Sequence, residues 1–124
     1  IEGFIENNTK ETETETVPAI RIAKSYIMKN YQQDITLDTI STIVNLSSVY
    51  FSILFKKEVG INFLDYLNRY RIEIAKEMLK DLKNNINDVA ARSGFQDSRY
   101  FSKKFKQQMG ITPSEYRKRT IKYS

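Results

Sequence analysis

The sequence predicts an all-α protein of about seven helices, arranged as two helix-turn-helix units joined by a long central helix. Three observations predict it. A stretch is written twice: Tyr50-Phe51-Ser52, Phe55-Lys56 and Gly60-Ile61 recur fifty residues later as Tyr100-Phe101-Ser102, Phe105-Lys106 and Gly110-Ile111. Such identities at one offset mark a duplicated structural unit. The match continues upstream one residue out of step, with Leu37, Ile40, Ser41 and Leu46 aligned on Ile86, Val89, Ala90 and Phe95. The copies therefore differ by one residue where two short helices meet. In each copy the two helical runs flank a tight turn, the pattern of a helix-turn-helix, and a tandem pair reads as a two-headed clamp on duplex DNA.

Residues 1–16 are polar, acidic and without periodicity after the first few, the composition of a flexible linker. The first residue is Ile rather than Met, so the linker is expected to lead from an upstream regulatory domain. A domain over residues 17–119 follows: a first unit at 17–62, a linking helix at 63–82 and a second unit at 83–119. The first helix is expected to open at Pro18, where a missing amide hydrogen has no helical partner to lose. Ile20, Ala23, Ile27 and Tyr31 then recur at helical spacing, which makes one apolar stripe.

Thr36 is placed to cap the second helix, whose apolar face is read as Leu37, Ile40, Ile43 and Val44. Asn45-Leu46 makes the turn, since Asn tolerates the left-handed backbone. Ser47 caps the third helix and Gly60 ends it. Asn62 starts the long helix, with Phe63, Leu67, Tyr70, Ile74, Met78 and Leu82 on its buried side. At ~1.5 Å per residue it spans roughly 30 Å, close to the ~34 Å at which the major groove recurs on one side of a duplex. The second copy repeats the plan: Asn85 caps, Gly94-Phe95 turns, Asp97 caps again and Gly110 stops. Thr112-Pro113-Ser114-Glu115 is a capping box with proline at the first helical position, which predicts a last short helix. Residues 117–124 are basic and expected to fray, with 120–124 as a tail.

Composition narrows the function classes. The 124 residues contain neither cysteine nor histidine. Disulfides, thiolate metal sites and Ser-His or Cys-His catalysis are therefore excluded, and no Gly-rich phosphate loop is present. The expectation is a protein that is not an enzyme and needs no cofactor or metal. No run of about 18 apolar residues marks a membrane span, and a cytoplasmic location is expected. Net charge is +5, divided unevenly: residues 1–38 hold four basic and seven acidic side chains, residues 39–124 sixteen and eight. The repeats carry the positive charge, which steers a domain toward polyanions.

Helical spacing separates two faces on each recognition helix. Tyr50, Phe51, Phe55, Tyr100, Phe101 and Phe105 are assigned to packing. The outward set of the first helix is Ser48, Val49, Ser52, Ile53 and Lys56; that of the second is Ser98, Arg99, Ser102, Lys103 and Lys106. Arginine pairs with guanine through two parallel hydrogen bonds, and lysine or serine reaches base edges or phosphates. Val49 and Ile53 are suited either to thymine methyl groups or to a neighbouring helix. Lys56, Lys57, Lys104, Lys106 and Arg117, with Lys118 and Arg119, are candidate phosphate ligands. Arg71 and Arg92 have acidic neighbours and are candidates for structural ion pairs.

The run Gly94-Phe95-x-Asp97-x-x-Tyr100-Phe101-Ser102-x-x-Phe105-Lys106-x-x-x-Gly110-Ile111-Thr112-Pro113-x-x-Tyr116-Arg117 resembles the signature of the DNA-binding domain of AraC/XylS transcription regulators. Arg71-Ile72 with Ala75 and Leu79 resembles that family's linking helix, and the likeness covers residues 20–119. The opening Tyr26-Ile27-x-x-Asn30-Tyr31 before Ile35-Thr36-Leu37 looks most like members attached to the receiver domain of two-component response regulators. The resemblance implies seven helices, two helix-turn-helix units meeting adjacent major grooves of an asymmetric double-stranded DNA site, and transcription activation through RNA polymerase. It carries base reading to Ser48, Val49, Ser52 and Ile53 in one unit and to Ser98, Arg99, Ser102 and Lys103 in the other. Ile53 departs from the polar or basic residue often found at its position. The competing reading is a helical protein-interaction module whose basic face meets an acidic partner.

Overall fold

The structure, a computed structural model, describes residues 13–122. Among them are seven helices and no strand: α1 Glu13–Asn30, α2 Leu37–Ile43, α3 Ser48–Val59, α4 Phe63–Leu79, α5 Ile86–Arg92, α6 Ser98–Met109 and α7 Pro113–Lys122. The all-α expectation holds. No single helix among the described residues is long and apolar enough to cross a membrane. The described residues divide into two compact units, residues 13–29 with 35–63, and residues 30–34 with 64–122.

In the first unit, Ile20, Ala23 and Ile27 of α1, Ile40 of α2, and Phe51, Leu54 and Phe55 of α3 are buried together with Ile35 and Phe63. The Phe51, Phe55 and Phe63 rings meet at centroid distances of 5.6–5.9 Å, edge-on to Phe63, the arrangement that aromatic quadrupoles favour. In the second unit, Ile72, Ala75 and Leu79 of α4 close on Val89, Ala90, Phe95, Phe101 and Phe105. Phe101 stands 5.1 Å from Phe95 and 5.7 Å from Phe105, and Tyr116 closes the row 5.6 Å beyond. Fully burying a phenylalanine contributes about 2–3 kcal/mol, so the duplicated Phe pair accounts for much of each core.

The turns inside the two motifs are built alike. After α2, Asn45 takes a left-handed backbone (φ 63°) and the Leu46 amide reaches back to the Ser41 carbonyl at 2.9 Å. After α5, Gly94 (φ 106°) does the same and the Phe95 amide donates to Ala90 O at 2.9 Å. This six-to-one bond satisfies a helix-end carbonyl in a Schellman-type cap. The caps read from sequence are present: Thr36, Ser47, Asn85 and Asp97 each accept an amide of the turn they open. Thr112 and Glu115 form the reciprocal pair expected of a capping box, each side chain accepting the other's amide.

Several boundaries differ from expectation. The linker was expected to extend to residue 16, but α1 already begins at Glu13, with Pro18 inside it; its residues 1–12 lie outside the described residues. Proline removes one helical hydrogen bond and crowds one carbonyl, which does not stop both flanks from keeping helical angles. α4 ends at Leu79, not 82; its 17 residues span roughly 25 Å, and Leu82 is exposed in the turn that follows. The buried stripe of α4 runs through Leu67, Asn68, Arg71, Ile72, Ala75 and Leu79, whereas Tyr70, Ile74 and Met78 are only half-buried. Of the four apolar residues assigned to the inner face of α2, Ile40 alone is buried and Ile43 is exposed. The basic end does not fray at residue 117, because α7 continues to Lys122; residues 123–124 of the expected tail lie outside the described residues.

Candidate nucleic-acid interface

α3 and α6 each bury one face and leave the opposite one in solvent. On α3, Phe51, Leu54 and Phe55 point inward, while Val49 is 72% and Ile53 63% exposed. Lys56 and Lys57 are exposed, and Ser48 and Ser52 half-buried at the edge of the same face. Helical spacing places Val49, Ile53 and Lys56 within about 60° of one another around the axis. On α6 the matching register holds Arg99, Lys103 and Lys106, all exposed, with Ser98 and Ser102 half-buried beside them. The sets lie at corresponding positions, with Val49 answered by Arg99 and Ile53 by Lys103. Lys56 and Lys106 are alike, while at the other two positions α3 is aliphatic and α6 cationic.

Ser48 does not present a free hydroxyl. Its Oγ donates to an Asp38 carboxylate oxygen, and lies 3.1 Å from Ser41 Oγ, which in turn donates to the Asp38 carbonyl at 3.1 Å. Asp38 was not singled out in the sequence; its place two residues after the Thr36 cap is the signal that could have found it. The second motif has Asn87 and Ala90 at the corresponding positions.

Four further assignments change. Arg117 was expected at phosphates, yet it is half-buried and donates through Nε to Leu79 O (2.8 Å) and through Nη2 to the carbonyls of Asp81 (3.2 Å) and Asn84. It ties down the end of α4 and the loop beyond. Lys104 is half-buried with Nζ 5.4 Å above the Tyr100 ring centroid, and lies about 100° around α6 from Lys103, off the cationic face. Tyr100 was assigned to the core along with Tyr50. Both are exposed at the rim; the Tyr100 hydroxyl accepts from Asn68 Nδ2 at 3.0 Å.

Arg71 is structural, but its partners are carbonyls rather than carboxylates. Nε donates to Tyr31 O at 2.8 Å and Nη2 to Gln33 O at 2.7 Å. Burial lowers its pKa, opposed by the charge of Asp34 and by Tyr100; an arginine so placed stays charged across physiological pH. Gly94 fits against this bridge: a Cβ there would meet Tyr31 O at 2.2 Å and Arg71 Nε at 2.6 Å. Arg92 donates to Asn84 Oδ1 at 2.7 Å, again an amide rather than an acid. Burial raises the Tyr66 hydroxyl pKa, with a smaller push from Tyr70.

Residues 40–119 match the family model described as a helix-turn-helix domain. The chain belongs to the AraC family of helix-turn-helix DNA-binding domains. It is 39% identical to the C-terminal domain of AraT, a response regulator from Geobacillus stearothermophilus, over 82% of this chain and 85% of that one, with a TM-score of 0.78. It is 42% identical over 69 residues to the transcriptional activator RhaR of Yersinia pseudotuberculosis serotype O:1b (strain IP 31758), a match covering 56% of this chain and 24% of RhaR. The DNA-binding domain of AdpA, a global transcriptional factor solved in complex with a target DNA, shares the fold at 21% identity and TM-score 0.76, over 81% of this chain and 90% of that one. This chain spans 12–37% of the length of the first curated relatives it matches. These relatives are transcription regulators, and the family is one of DNA-binding proteins, not enzymes.

Proposed function

We propose that this domain binds one sequence of double-stranded DNA and thereby regulates transcription, with α3 and α6 entering successive major grooves. The observation that carries the reading is the pair of solvent-facing rows at matching registers of a duplicated motif, Val49-Ile53-Lys56 and Arg99-Lys103-Lys106, each opposite a buried Phe pair. Ser48, Val49, Ser52 and Ile53 meet base edges in one groove, and Ser98, Arg99, Ser102 and Lys103 in the other. Ser48 acts within its bonds to Asp38 and Ser41. Lys56, Lys57 and Lys106 neutralise phosphates, which supplies affinity without sequence information. RhaR is named an activator and AraT a response regulator; activation through RNA polymerase, under an upstream regulatory domain, is the role we assign to the whole protein.

The test is to select sites from a randomised duplex pool with the 124-residue chain, then compare a selected duplex with its scrambled counterpart at physiological salt. Selected sites should bind roughly 10³-fold or more tightly, and affinity should fall as salt rises. Equal binding to both, or preference for an acidic protein surface over any duplex, would replace this reading with the interaction-module one.

A further inference from the structure

The exposed aliphatic pair on α3 has no counterpart in chemistry on α6. Val49 and Ile53 are one helical turn apart and lie on one face. At 72% and 63% exposure they are among the most exposed large apolar side chains of the described residues, and no helix among those residues covers them. Both are β-branched, hence stiff at χ1 and short in reach. Neither has a donor or acceptor, so neither can recognise the hydrogen-bonding edge of any base. The major groove offers one apolar group to such a pair, the C5-methyl of thymine. Exposed Lys56 and Lys57 follow on the same helix and match the charge of the flanking phosphates.

Resting on the DNA-binding reading above, we infer that the two units read different chemistry: α3 selects thymine through its methyl groups, packed against Val49 and Ile53, while α6 selects guanine through Arg99 and Lys103. The target site is bipartite, with a thymine-bearing half and a guanine-bearing half. Removing a methyl from the first half removes the contact and leaves every hydrogen-bonding atom of the base in place. Adding or removing a methyl group in the second half leaves the arginine and lysine contacts intact.

The experiment uses the duplex selected by the intact chain. The half-site whose base preference changes in Arg99→Ala belongs to α6, and the other to α3. Thymines are then replaced by deoxyuridine in one half at a time. In the α3 half, affinity should fall about fourfold for each contacted methyl, the worth of one buried carbon; in the α6 half it should not change. Val49→Ala with Ile53→Ala should remove the deoxyuridine penalty, and both positions are exposed enough for the variant to fold. Sequence-specific binding with no deoxyuridine penalty in the α3 half overturns the inference while the DNA-binding reading stands. A penalty that survives the double variant overturns it as well, since another residue then holds the methyl. If the chain selects no duplex at all, the reading of function fails and the inference with it.

Discussion

The two helix-turn-helix motifs share a skeleton and differ in skin. Each has a Ser, Thr, Asn or Asp cap at both helix starts, a left-handed residue in the turn, a pair of fully buried phenylalanines and a glycine after the recognition helix. At the outward positions Ser48, Ser52 and Lys56 are repeated as Ser98, Ser102 and Lys106, but Val49 stands where the other motif has Arg99, and Ile53 where it has Lys103. The caps, turns and Phe pairs answer to rules of backbone and packing. The Val49/Arg99 and Ile53/Lys103 differences answer to whatever meets the surface. Duplication of a fold therefore does not imply duplication of a ligand.

The largest expected effect breaks the likeness of the two turns. Gly94→Asn should destabilise the protein by about 3–5 kcal/mol, because the new Cβ meets a backbone carbonyl and a guanidinium held by two hydrogen bonds, a severe steric clash at a buried site. Asn45→Gly, in the matching turn, should change stability by less than about 1 kcal/mol, because glycine adopts the same backbone freely but loosens the unfolded chain. Urea unfolding of the two variants checks the contrast; equal losses would mean that the turns are constrained alike.

Arg71 and Arg117 give the next difference. Both hold carbonyls of a loop, but Arg71 is buried and Arg117 half-buried. Arg71→Ala should cost about 2–4 kcal/mol and Arg117→Ala about 1–2, since the more deeply buried side chain loses more packing along with its hydrogen bonds. Thermal melts rank them, and the salt dependence of DNA binding should not change in Arg117→Ala. A shallower salt slope would restore Arg117 to the phosphate contacts.

The smallest effect lies at the start of α7, where Glu115 closes the capping box. Two hydrogen bonds with Thr112 hold its carboxyl below the ordinary value of 4.5, helped by Lys106 and Arg119. A depressed carboxylate stabilises the fold above its unfolded-state pKa, and that contribution disappears as pH falls through the folded-state value. Wild-type stability should therefore decline below about pH 4.5 more steeply than that of Glu115→Gln, which keeps an acceptor but does not titrate there. Parallel acid limbs in stability-versus-pH curves would remove Glu115 from the account.

The duplicated skeleton was legible because its signals are local. Caps, turn residues and Gly60 and Gly110 obey rules acting within four or five residues, and those assignments hold. The α4 stripe was less legible from periodicity. Long apolar residues drew the buried face through Tyr70, Ile74 and Met78, whereas the buried row includes the polar Asn68 and Arg71, which enter only because Tyr100, Tyr31 and Gln33 supply hydrogen-bond partners. The likeness of Arg71-Ile72, Ala75 and Leu79 to a family helix marked that row where hydropathy did not. For the site, the outward rows Val49-Ile53-Lys56 and Arg99-Lys103-Lys106 followed from helical spacing, whereas Tyr50 and Tyr100, assigned inward by the same spacing, are exposed. What spacing cannot reveal is which cations are engaged: Arg117 and Lys104 read as surface charge until their carbonyl and ring partners in the fold are known.

Selection profiles from a randomised duplex pool for the intact chain, Arg99→Ala and Ile53→Ala test the tandem reading most directly. The account predicts that each variant loses preference at its own one or two base pairs, with the two groups about ten base pairs apart. Losses at the same base pairs, or profiles identical to that of the intact chain, would contradict it.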